Sequence, residues 1–201
     1  MKKLILLSFV VLLISVVVYG QDKVETPNWN IGDKWIIGGV TTITVVSADE
    51  SSYTVKYATP KDESTLIYEK SSLNRLFSMD GDNRIPYAGR NRRLLNFPLE
   101  IGKSWKDKYT AGRGAASQEY TEIFTPVGWE DIEVQAGKFK AVKLEYKQVR
   151  GEEKGGPTAQ EGKAWYWYSP DAKYMLKCQY DTTGYWPPSS DWEITSFELK
   201  K

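Results

Sequence analysis

The chain has 201 residues, with 27 Lys and Arg against 26 Asp and Glu, no His, one Cys, eight Trp and thirteen Tyr. A formal charge of +1 supplies no electrostatic reason to expect nucleic acid or an anionic membrane surface as the main partner. Without His there is no Ser-His-Asp or Cys-His catalysis and no His-ligated zinc or haem site, and a lone thiol cannot close an internal disulfide.

Lys2 and Lys3 precede an apolar run from Leu4 to Val18, and Val18 and Gly20 are small enough to stand before a cleavage point. This is the layout of a bacterial secretory leader, with a core short for a membrane span. A lipoprotein leader ends at a cysteine, and here the residue is Gln21. Residues 1–20 are therefore expected to be a signal peptide. The mature chain is expected to be a single domain over 21–201, exported to the periplasm or beyond, not a lipoprotein, and with no membrane span. Without Lys2 and Lys3 the basic residues fall from 27 to 25, so the mature charge is near zero.

The mature chain has period two almost throughout. "TTITVV" (41–46) and "SYTVKYA" (52–58) form a first hairpin, followed by "TLIYE" (65–69). "EKSSLNRLF" (69–77) fits a helix of one or two turns, or another strand. "EYTEIF", "DIEVQA", "KAVKLEY", "AWYWYS", "YMLKCQY" and a final "WEITSFEL" continue the alternation, separated by Gly, Pro, Asp and Ser turn signals. The predicted fold is all-β: one antiparallel, strongly curved sheet or incomplete barrel, with at most one short helix besides the leader. In "QAGK" (135–138) Gly137 supplies the permissive backbone of a hairpin turn and Phe139 enters the core. Cys178 shares a strand face with Leu176 and Tyr180 and reads as a small buried apolar side chain. Ile-Gly-x-x-Trp occurs twice, at Ile31–Trp35 and Ile101–Trp105, each time a turn followed by an inward tryptophan.

Four blocks, "FPLEIGKSW", "IEVQAGKFKAVKLEY", "WYWYSPDAKYMLKCQY" and "WEITSFEL", together resemble the DUF3108 or TapB-like group of exported bacterial proteins of unknown function. The Ala136-Gly137-x-Phe139 and Trp167-Tyr168-Ser169-Pro170 blocks are the most specific. Gln135 stands where the group often has Pro. The resemblance implies a curved antiparallel sheet or incomplete barrel and carries over no catalytic residue.

Three arrangements invite chemistry. Asp131 and Glu133 share a strand face at a spacing an inverting glycosidase could use, although Ile132, Val134 and Ala136 mark that face as the solvated one. Arg84, Arg90, Arg92 and Arg93 fall within ten residues around Tyr87, and guanidinium groups grip anionic headgroups bidentately. Tyr185, Trp186 and Trp192 lie around a Pro-stiffened stretch and could stack on a sugar or cap a cavity. Asp80 and Asp82 share a turn that lacks further oxygen ligands for calcium. The reading that results is a non-catalytic exported protein, without cofactor or metal, that holds an apolar or amphipathic ligand. Trp105, Trp165 and Trp167 would line its inside, with the arginines at the rim. The alternatives are a carbohydrate-binding or envelope-associated module using Tyr185, Trp186 and Trp192, and a carboxylate-dependent hydrolase.

Overall fold

A computed structural model describes residues 23–86, 93–111, 118–151, 160–181 and 190–201. The expected leader, Tyr87, Arg90, Arg92, Tyr185 and Trp186 lie outside the described residues. The described chain contains fourteen strands and no helix. β1 (Lys23–Val24) pairs with β8 (Leu99–Glu100) as a short separate ribbon. β2 (Lys34–Ile37), β3 (Thr41–Ala48), β4 (Ser52–Ala58), β5 (Glu63–Glu69), β6 (Arg75–Asp80) and β7 (Asn83–Pro86) form a first meander. β9 (Trp105–Ala111), β10 (Gln118–Val134), β11 (Gly137–Arg150), β12 (Gln160–Ser169), β13 (Tyr174–Tyr180) and β14 (Trp192–Glu198) form a second. Antiparallel pairing of β2 with β14 joins the two into one sheet, ordered 7-6-5-4-3-2-14-13-12-11-10-9, which does not close into a barrel.

The all-β expectation holds because the alternating residues do what a half-buried strand requires. Ile43 and Val45 on β3, Tyr53 and Val55 on β4, and Leu144 and Tyr146 on β11 are buried. Five strand pairs carry register shifts, at Val45/Ser47, Ile67/Tyr68, Pro126/Gly128, Trp167/Tyr168 and Ile194/Ser196. Each extra residue bends and twists its strand, which curves a sheet of this width. The edge strands are poor templates for further pairing: β7 is short, exposed and ends on Pro86, and β9 carries Lys106 and Lys108.

The repeated Ile-Gly-x-x-Trp is one structural solution used twice. Gly32 and Gly102 both take left-handed backbones, φ +93° and +84°. Trp35 pairs across its hairpin with Ile43 and Trp105 with Phe124. The Gly32 N–H donates to Val45, two residues beyond Ile43, and the Gly102 N–H donates to Pro126, two beyond Phe124. Both tryptophans are buried and both indole N–H groups end on a backbone carbonyl, Ala172 for Trp35 and Arg93 for Trp105.

The segment 69–77 forms no helix. The Leu73 N–H closes a single turn onto the Glu69 carbonyl, and Leu73 then adopts φ +55°, which ends it. β6 begins two residues later.

At the tip of β10–β11 the turn residues are Gln135 and Ala136, and Gly137 has φ +132°. Phe139 is partly buried rather than in the core centre. It packs on Phe197 with ring centroids 5.8 Å apart, while Ile132 and Val134 are buried. Along β11 the buried side changes between Leu144 and Ala141, because the long hairpin carries its tip back onto β14, where the Ala136 N–H meets the Ile194 carbonyl. Phe139→Ala should therefore cost about 2 kcal/mol, below the ~3–5 kcal/mol of a fully buried ring. Asp131→Ala and Glu133→Ala, on the exposed side, should each change stability by less than about 0.5 kcal/mol. Urea unfolding of the three variants checks the ordering.

Cys178 is fully buried, and burial pushes its thiol pKa up to about 11. A thiol with so little thiolate at neutral pH is a poor nucleophile. Native protein should leave a disulfide reagent unreacted over hours and consume one equivalent on unfolding. Rapid labelling of the native state would show that β13 opens far more readily than its burial implies.

Candidate functional site

Residues 93–99 cross from the first meander to the second and lie against the inner side of the sheet. The Asn74 side chain brackets Leu95, donating to its carbonyl and accepting from its N–H. Phe97 meets Tyr168 edge-on at 5.5 Å. Beneath this segment is a cavity of about 80 Å³. Trp29, Tyr68 and Tyr174 give it aromatic walls, and Leu73, Leu94 and Leu95 its aliphatic side. Trp29 is fixed at both ends, its backbone N–H on the Tyr53 hydroxyl and its indole N–H on the Lys173 carbonyl.

Two features set this cavity apart. Leu73 and Lys173, the non-glycine residues with positive φ among those described, both line it. Left-handed backbone at a side chain of this kind costs about 1–2 kcal/mol, and such strain tends to persist where a site needs it. The second feature is Tyr168, which also lines the cavity. It has no exposed surface, and its hydroxyl has no hydrogen-bond partner among the described residues. Burial holds that phenol well above its ordinary pKa. The Lys173 ammonium is engaged by the Asn28 carbonyl at 2.7 Å and the buried Asp33 carboxylate at 3.7 Å.

Among the described candidates from the sequence, Arg84, Arg93 and Trp192 do not converge, whereas Asp131 and Glu133 share one open pocket with Asp171. Arg84 is on the edge strand β7, exposed, with its guanidinium 5.8 Å from the Phe77 ring centre. Arg93 is turned onto Asp107: its Nε and Nη2 donate to Oδ1 at 3.0 and 2.7 Å, and its backbone N–H donates to Oδ2 at 2.5 Å. It anchors the segment that carries Leu94 and Leu95. Trp192 opens β14, partly buried against the core and opposite Cys178. Five strands separate β7 from β14.

The expectation that Trp165 and Trp167 line the same side of the sheet as Trp105 is corrected, although Trp167 is itself buried and packs within the core cluster. On β12 the core side is taken by Ala164, Tyr166 and Tyr168, with Tyr166 edge-on to Tyr146 at 6.0 Å. Trp167 lies on the other face between cross-strand neighbours Lys143 and Lys177, whose ammonium groups sit 5.2 and 4.2 Å from its ring. Its indole N–H donates to Glu130 at 2.7 Å, and that bond, with Lys143 beside it, keeps the Glu130 carboxyl below its ordinary pKa. Trp105 is inward as expected, stacked on Phe124 at 5.6 Å.

Two buried carboxylates do face each other, but not the pair the sequence suggested. Asp107 on β9 and Glu122 on β10 are direct cross-strand partners. Both Asp107 oxygens are held by Arg93. Glu122 has no exposed surface and accepts from the Tyr146 and Tyr109 hydroxyls and the Gln148 amide. An acid that acts on a substrate must reach it, and these two are enclosed by their own neighbours. Among the described residues no cluster of three Asp, Glu or Cys could hold a metal ion.

No family model and no curated protein matches the chain. Solved structures with a similar course include a protein from Parabacteroides distasonis described as a lipoprotein, 15% identical, with 89% of this chain covering 100% of that one at a TM-score of 0.49. The hypothetical lipoprotein YmcC from Escherichia coli is 9% identical, over 88% of this chain and 89% of that one, at 0.46. A protein from Bacteroides fragilis, described as exported and of YmcC-like fold, is 15% identical over 88% and 99%, at 0.47.

Proposed function

We propose that this is an exported, non-catalytic binding protein of the DUF3108 or TapB-like kind, which holds one end of an amphipathic ligand under the 93–99 segment. The observation that carries this reading is the cavity itself, a mostly apolar space with strained backbone on two sides, at Leu73 and Lys173. At about 80 Å³ it is well below the ~300–1,000 Å³ of a site that engulfs a small molecule. Only an end group enters, and the rest of the ligand lies outside. Export rests on the leader-like residues 1–20, and the soluble form on Gln21, since Cys178 is the single cysteine of the chain.

Arg90 and Arg92, next to Arg93 in sequence, are the basic residues proposed to meet an anionic head, with Arg84 as a further contributor. Arg93 itself is better left unaltered in a test, because it secures Asp107. Titrating a fluorescent fatty acid or a lysophospholipid against wild type and an Arg90→Gln, Arg92→Gln variant tests the reading. Wild type should bind, modestly less well in high salt because exposed charge contacts are screened, and the variant should lose affinity for charged amphiphiles only. No binding by wild type would remove the proposal. Equal binding by both would remove the arginines from it.

A further inference from the structure

We infer that residues 94–98 are a strap that lifts to admit the ligand end, and that Asn74 is its latch. This rests on the reading of the cavity as the binding site. The other walls are firmly held. Tyr68, Tyr168, Tyr174 and Met175 lie on the paired strands β5, β12 and β13. Leu73 and Lys173 sit in turns closed by backbone hydrogen bonds, from Leu73 to Glu69 and from Lys173 to Pro170. Trp29 is pinned at both ends. The wall made by Leu94 and Leu95 differs. Among the described residues, 94–98 form no hydrogen bond from main chain to main chain. The backbone of Leu95 is held by the Asn74 side chain instead, which donates to its carbonyl at 2.9 Å and accepts from its N–H at 3.4 Å. A wall of this kind opens at far lower free energy than a paired strand.

Both ends of the strap are fixed, which confines the movement to the residues between them. Arg93 is bound to Asp107 and its carbonyl accepts the Trp105 indole N–H, while the buried Leu99 pairs with Val24. Asn74 is placed to hold the middle. It is buried, it follows the left-handed Leu73, and its carbonyl accepts from the Glu69 N–H. The turn that puts Leu73 in the cavity wall thus also aims Asn74 at the strap, which gives the strained residue a purpose. With the strap lifted, Leu94 and Leu95 leave the aliphatic side and an alkyl end can pass. Closing restores both Asn74 bonds and packs the leucines onto the ligand. Entry and release then both wait on the strap, as they do on lids of other binding sites. Asn74 is not among the residues that line the cavity. It acts on the ligand through the strap alone, so it governs rates more than affinity.

The test uses the full mature chain, wild type against Asn74→Ala and Asn74→Asp, with a fluorescent fatty acid as probe. In wild type the observed association rate should level off as probe concentration rises, because opening of the strap sets the ceiling. Asn74→Ala should raise that ceiling and the dissociation rate together, each about tenfold, with Kd moved by less than about threefold, as loss of one or two neutral hydrogen bonds from both closed states does. Asn74→Asp keeps the acceptor for the Leu95 N–H and should fall between the two. Hydrogen exchange of ligand-free wild type gives a second measure. The Leu95 amide should exchange at least about a hundredfold faster than the Leu144 amide of β11, because the strap opens without the fold opening. An association rate that keeps rising in proportion to the probe would overturn the latch and leave the binding reading standing. So would a variant that changes dissociation alone, or exchange of Leu95 and Leu144 at one rate. If the fatty acid does not bind wild type, both inferences fall together.

Discussion

Trp35→Ala is expected to destabilise the protein by about 4 kcal/mol, the range for removing a fully buried large ring, and to give the largest loss of any single core truncation. Trp35 has no exposed surface. It stacks on Tyr174 at 4.9 Å, meets Trp29 at 5.1 Å, and donates its indole N–H to the Ala172 carbonyl at 2.7 Å. It thus ties β2, in the first meander, to the β12–β13 turn and β13 in the second. Trp35→Phe keeps most of the ring area and loses the hydrogen bond, so about half that loss is expected. Urea unfolding followed by tryptophan fluorescence and by circular dichroism would measure both. A loss below about 1 kcal/mol for the alanine variant would mean that the two meanders are not held together through this residue.

Glu122→Leu is expected to cost about 3 kcal/mol, because the buried Tyr146 hydroxyl and the partly buried Tyr109 hydroxyl and Gln148 amide lose their common acceptor. Glu122→Gln retains one carbonyl oxygen and should cost about 1–2 kcal/mol. The ordering separates a structural carboxylate from a catalytic one. If Glu122 were placed for chemistry at the expense of stability, removing it would stabilise the fold. An increase in melting temperature for Glu122→Leu would revive the hydrolase reading with Asp107 and Glu122 as its pair.

Alternation alone makes most of the sheet legible in the sequence. The strand runs, the Gly137 hairpin, the two Ile-Gly-x-x-Trp turns and the burial of Cys178 are all consequences of local chemistry and period two. "WYWY" shows where that reading fails. Four aromatic residues in a row put a large apolar side chain on each face, so period two cannot say which face is the core. The deciding residues, Lys143 and Lys177, lie on other strands and cover Trp167 only through register. The cavity is invisible in the sequence for a related reason. Tyr168 is one aromatic among nineteen Trp and Tyr outside the leader-like residues and itself, and its lack of a partner is a property of the folded interior. Asp107 and Glu122 are ordinary polar positions of alternating strands until register brings them face to face. Leu73 escapes a sequence reading because a left-handed leucine follows from the contacts around it and not from its own preference.

The most direct measurement is native mass spectrometry of the chain recovered from the cell envelope, wild type beside Leu94→Trp. Leu94 lines the cavity from the irregular 93–99 segment and is only partly buried, so a larger ring there fills the space without entering a strand. Wild type should carry a bound species of defined mass that denaturation releases, and Leu94→Trp, melting within a few degrees of wild type, should arrive bare. A bare wild type, or the same bound species on both proteins, would contradict a binding function for this cavity.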